Sequence, residues 1–204
     1  MRRFAIILSL AIASSATWAA TQPAESLEPV QSLELKPSMD QRYATNLATR
    51  FLTNWHYKDT QLDDAFSSTI FDEYIELLDP NRNYFLASDI ESFERYRNSL
   101  DDALRHSDLV PAYDIFNVYV NRVRERVAYS REVLKQPMDF TIDEEFEFDR
   151  EDAPWPASVA ELDEMWRLRV KNDYLRLKLT DKDAAAIVET LDERYANLDR
   201  RIDE

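Results

Sequence analysis

Residues 62–80 read LDDAFSSTIFDEYIELLDP. Leu62, Phe66, Ile70 and Tyr74 fall four residues apart, and Leu77 and Leu78 close the run. That spacing puts them on one face of a helix. Asp79-Pro80 then stops it, because a residue preceding proline is pushed out of the α region. The stretch is a helix, and its pattern recurs along most of the chain.

Upstream, residues 40–55 place Tyr43, Leu47, Phe51 and Trp55 four apart, which predicts another amphipathic helix with these four on one face. Downstream, Ser88-Asp89-Ile90-Glu91 reads as a capping box opening a third helix, with Ile90, Phe93, Leu100 and Leu104 on its apolar face. Asp108 can cap a fourth, with Pro111 tolerated in its first turn and a stripe of Phe116, Val120, Val123, Val127 and Leu134. Pro137, Pro154 and Pro156 break the pattern over residues 136–157. A second capping box, Ser158 with Glu161, opens a fifth helix carrying Leu162, Trp166, Val170 and Leu177. Ile187, Leu191, Tyr195, Leu198 and Ile202 line the last. The expectation is an all-α domain of about six amphipathic helices in an irregular bundle, with a Pro/acidic loop near 136–157.

Composition agrees. The 204 residues include no glycine and no cysteine. Phosphate-cradling loops, dinucleotide fingerprints, nucleophile elbows and EF-hand loops all need glycine, and tight hairpins are hard to build without it. Without cysteine there is no disulfide, thiolate zinc site, iron–sulfur cluster or thiol nucleophile. The 25 basic and 40 acidic residues give a net charge of −15. Nucleic acid is therefore not an expected partner, since phosphate binding needs clustered Lys and Arg.

Arg2 and Arg3, the apolar run from Phe4 to Ala13 and the small-residue exit ending at Thr17 and Ala19 have the layout of a secretory signal peptide. The expected organisation is 1–19 signal peptide, 20–38 proline-bearing linker and 39–204 helical domain. In a Gram-negative cell this implies a periplasmic location. The last helix is still in register at Ile202 with no stop signal behind it, which leads us to expect a longer natural chain.

Candidate chemistry is sparse. His56 and His106 are the only histidines and lie on different elements; His56 reads as a packing residue and His106 suits a helix C-terminus. The segment from Asp139 to Asp152 holds eight carboxylates against Arg150 alone. It lacks the alternating ligands and the turn glycine of a calcium loop, so it reads as a solvated acidic loop pinned by Phe146 and Phe148. Arg122, Arg124, Arg126 and Arg131 spread around one helix and should pair with acidic neighbours. Ser67 and Ser68 have no nearby base and read as ordinary helix residues, while Trp155, between two prolines, reads as a packing anchor. The expected catalytic, cofactor-binding and metal-binding residues are none.

Four strings, in order, resemble the N-terminal region of the tail-specific, or C-terminal processing, serine proteases of Gram-negative bacteria. The first is His56-Tyr57 with Leu62-Asp63-Asp64-Ala65-Phe66-Ser67, Ile70-Phe71 and Tyr74. The second is Leu78-Asp79-Pro80, Tyr84-Phe85-Leu86 and Ser88-Asp89-Ile90. The third is Pro137-Met138-Asp139-Phe140 with Ala153-Pro154-Trp155-Pro156, Leu162 and Trp166. The fourth is Leu175-Arg176-Leu177-Lys178-Leu179-Thr180 with Glu189-Thr190-Leu191 and Arg194-Tyr195. The resemblance runs from about residue 39 to 204. It implies a periplasmic endopeptidase that recognises apolar C-termini through a PDZ module and cuts with a serine nucleophile and a lysine base. A lysine kept neutral by burial can accept the serine proton, so no histidine is needed. No residue here matches that serine or lysine, and the absence of glycine excludes the carboxylate loop of a PDZ module. The implied partners are the rest of the protease chain, unfolded or tagged periplasmic proteins, and a helical-repeat lipoprotein adaptor. The alternative expectation is a stand-alone helical binding module without catalysis.

Overall fold

The computed structural model describes residues 34–55 and 61–203. The expected signal peptide, most of the linker, and His56 with Tyr57 lie outside those residues. The described residues form seven α-helices and no strand: α1 (Met39–Asn54), α2 (Asp64–Leu78), α3 (Ala87–Phe93), α4 (Leu100–His106), α5 (Val110–Leu134), α6 (Val159–Lys178) and α7 (Ala184–Asp203). A single 3-10 turn, Glu94–Tyr96, follows α3. No helix of the described residues is long and apolar enough to cross a membrane.

The all-α expectation holds, with one helix more than expected. The third predicted helix is two, α3 and α4, separated by the 3-10 turn. The reason lies on α2. Ser67, fully buried, donates its hydroxyl to the Arg97 carbonyl at 2.7 Å and accepts the Leu100 N–H at 2.8 Å. Two backbone groups that would have bonded along a continuous helix are satisfied sideways. The cap also differs: Ser88 sits inside the first turn, and Asp89 accepts the Leu86 N–H at 2.9 Å and pairs with Arg122 at 2.8 Å. Asp108 is not the N-cap of α5 but accepts the Val110 N–H at 3.0 Å.

Two apolar clusters share α5. One gathers Val123, Val127 and Leu134 with Leu162, Trp166 and Val170 of α6 and Ile187, Leu191 and Tyr195 of α7. The other gathers Ile115 at the opposite end of α5 with Phe71 and Ile75 of α2, Phe85, Phe93 and Leu100. The stripes expected on the last three helices are largely this core, though Phe116 and Leu177 are only half-buried. On α2 the buried face is one residue further on than expected, at Ser67, Phe71 and Ile75, and Leu77 is 77% exposed.

The turn after α2 is organised by Asp79. Its buried carboxylate accepts the backbone N–H groups of Asn83 (2.7 Å), Tyr84 (2.8 Å) and Phe85 (2.9 Å). This delivers Phe85 into one cluster, and the Asn83 carbonyl to the indole N–H of the buried Trp166 at 2.7 Å. Burial raises the Asp79 pKa above the ordinary carboxylate value, against the three N–H donors and Arg82, which pull it down. With no glycine available, three left-handed positions fall to Arg82 (φ 51°), Ser107 (φ 54°) and Asp181 (φ 59°).

Candidate interaction surface

The feature that stands out on the domain is α1. Ser38 caps it, accepting the Gln41 N–H at 3.2 Å while the Gln41 side chain accepts the Ser38 N–H at 2.8 Å. The helix meets the rest of the domain through a polar side. Thr49 Oγ1 donates to the Leu104 carbonyl at 3.4 Å, and the Tyr113 hydroxyl donates to Gln41 Oε1 at 2.7 Å. Just before it, Leu35 and Asn117 exchange two hydrogen bonds of 2.8 and 3.0 Å. Arg42, Thr45, Thr49 and Leu52 are half-buried, and no residue of α1 is fully buried.

The apolar stripe on the opposite face points to solvent. Tyr43 is 74% exposed, Leu47 47%, Phe51 53% and Trp55 70%. The Phe51 and Trp55 rings meet edge to face at 4.7 Å, so the stripe is continuous at its C-terminal end. The four share one face as their spacing predicts, while the hydrogen bonds to the rest of the domain are made by Thr49 and Gln41. Single exposed apolar residues are ordinary on protein surfaces, whereas a four-residue aromatic and aliphatic row on one helix marks an interaction site.

The other candidates take structural places. His106 ends α4, with Nδ1 2.7 Å from the Asp102 carbonyl. The four arginines of α5 each meet a carboxylate on another element: Arg122 with Asp89, Arg124 with Asp199, Arg126 with Asp163, and Arg131 with Asp192. Ser67 is the latch already described, and the Ser68 hydroxyl accepts from Arg97 at 3.0 Å. Trp155 does anchor its loop: its ring lies 6.2 Å from Phe85, with the Arg82 guanidinium 5.3 Å from its centroid. In the acidic loop Glu144 binds both Arg167 and Lys171, which hold its pKa below the ordinary value, and Glu147 pairs with Arg150 at 2.6 Å. Phe146 is half-buried, but Phe148 is 61% exposed, so only one of the two expected pins is a pin. No group of three or more His, Asp or Glu among the described residues is arranged to hold a metal ion.

Residues 48–204 match the family described as the tail-specific protease N-terminal domain. A tail-specific protease of Haemophilus influenzae is 39% identical to this chain over 196 residues, covering 96% of this chain and 28% of the relative. The chain thus spans little more than a quarter of the length of the curated relative it matches.

Proposed function

Because this chain belongs to the tail-specific protease family, as its N-terminal domain, we propose that its work is architectural within a serine endopeptidase of the periplasm. The domain helps to enclose the catalytic chamber, restricts entry to unfolded chains and offers a surface to partners. Residues 1–19 act as the signal peptide, and the Ser/Lys pair and the PDZ module belong to the part of the protease beyond this chain. Substrates are proteins with apolar C-termini, and a helical-repeat lipoprotein is the expected adaptor.

The observation that carries this reading is the outward stripe of α1, Tyr43, Leu47, Phe51 and Trp55. A helix that presents its apolar side to solvent while docking by its polar side is built to be covered. The relative's remaining length supplies the occupant: a further part of the same protease, packed on this stripe.

A chimera tests it. The N-terminal 28% of the Haemophilus influenzae relative is replaced by this chain, and cleavage of an unfolded protein with an apolar C-terminus is followed. The chimera should cleave, and the 204-residue chain alone should not. Leu47→Asp with Phe51→Asp in the chimera should loosen the assembly, seen as protease-sensitive separation of this domain and loss of cleavage. Peptidase activity of the chain alone, or a double variant as active and compact as its parent, would overturn the reading.

A further inference from the structure

The acidic loop carries a second pattern. Apolar residues fall at alternate positions Phe140, Ile142, Phe146 and Phe148, interrupted at Glu144, with Asp139, Asp143, Glu145, Glu147 and Asp149 among the positions between. A period of two belongs to an extended strand, not to a helix. The Phe146 and Phe148 rings sit 4.7 Å apart, so these alternate side chains share one side, as they do in an extended chain.

Yet the segment belongs to no sheet. From Asp143 to Asp149, no backbone N–H or carbonyl is hydrogen-bonded among the described residues. Side chains hold it instead: Glu144 to Arg167 and Lys171 on α6, and the Phe140 ring 5.7 Å from Tyr174. Between the segment and α6 lies a cleft of about 450 Å³, lined by Ile142, Phe148 and Leu175 and also by Asp143, Lys171 and Asn172. Ile142 is 56% and Phe148 61% exposed. A run with unpaired backbone groups beside a cleft of mixed apolar and polar lining is a template for another strand.

We propose that residues 143–149 form a docking edge for an extended polypeptide of alternating apolar and basic residues, its backbone pairing with this segment and its apolar side chains entering the cleft against α6. Charge selects the occupant. Asp143, Glu145 and Asp149 are exposed and make no ion pair among the described residues, and they form a carboxylate row in which Glu147 is already held by Arg150. Lysine or arginine at alternate positions of the guest matches that row, and an acidic guest is repelled. That the guest is an unfolded substrate rests on the protease reading; the pairing itself does not.

The test is fluorescence anisotropy of a labelled decapeptide of alternating valine and lysine, titrated with the 204-residue chain at low salt. Saturable binding is expected, with amide shifts in nuclear magnetic resonance confined to residues 142–150 and α6. Asp143→Lys with Glu145→Lys should weaken binding at least tenfold, as should N-methylation of alternate backbone nitrogens of the peptide. Phe148→Ser, on an exposed side chain, should weaken it severalfold and serves if the charge variant does not fold. Absence of saturable binding, indifference to N-methylation or to charge reversal, or self-association of the chain through this segment would overturn the proposal. The assay requires no cleavage, so its failure is separate from any failure of the protease reading.

Discussion

The Ser67 hydroxyl donates to the Arg97 carbonyl across 2.7 Å, joining residues thirty positions apart inside the domain. The same oxygen accepts the Leu100 N–H, so one small side chain satisfies two backbone groups where a helix would otherwise run straight on. Ser67→Ala removes the partner of both groups at once and leaves the Leu100 N–H buried and the Arg97 carbonyl half-buried. A loss of about 2–3 kcal/mol is expected, read as a lower urea midpoint with an unchanged slope.

Asp79 offers a second test, with a sign. Its folded pKa is raised, so its stabilising contribution is fullest below the ordinary carboxylate value and falls as pH rises through the raised one. Asp79→Asn, which cannot ionise, lacks that dependence. The stability gap between wild type and Asp79→Asn should therefore be larger near pH 4 than at pH 7, measured by urea denaturation at each. Asp79→Ala, which strands three N–H donors, should cost about 2–4 kcal/mol and show the same pH trend, since alanine does not ionise either.

Glu144 works the other way. Hydrogen bonds from Arg167 and Lys171 depress its pKa, so what it contributes is present above the ordinary glutamate value and is lost as pH falls through the depressed one. Acidification should free residues 141–150 before the helices melt, visible as faster amide hydrogen exchange in that segment alone. Glu144→Gln should show the same loosening at neutral pH.

At Ser107 the chain takes a left-handed conformation without glycine, and the hydroxyl there is buried with no partner among the described residues. Ser107→Gly relieves both burdens, offset in part by a freer unfolded chain. A net gain of about 0.5–1 kcal/mol is expected, as a higher thermal midpoint.

On the stripe of α1, Phe51→Ser and Trp55→Ser should change the stability of the chain by no more than about 0.5 kcal/mol, because neither side chain is buried. Binding of an apolar dye should fall in the same variants.

What could be read from the sequence was periodicity, and what could not was direction. Val120, Val123 and Val127, Leu162, Trp166 and Val170, and Ile187, Leu191 and Tyr195 sit in the stripes that their spacing predicts, and they are buried. The stripe of Tyr43, Leu47, Phe51 and Trp55 is equally regular, yet it lies on the far side of its helix, since docking is decided by Thr49 and Gln41 meeting Leu104 and Tyr113. Those partners are more than fifty residues away. The break between α3 and α4 was hidden for the same reason, because Ser67 acts from another helix. The alternation in residues 140–148 was legible by spacing, but it was masked by the carboxylates around it.

One helix, α5, enters both apolar clusters, with Ile115 near its first turns and Leu134 at its last. At 25 residues it is about 37 Å long. Neither cluster can reorient without carrying this common beam, so the two halves of the core are braced against each other along a single span.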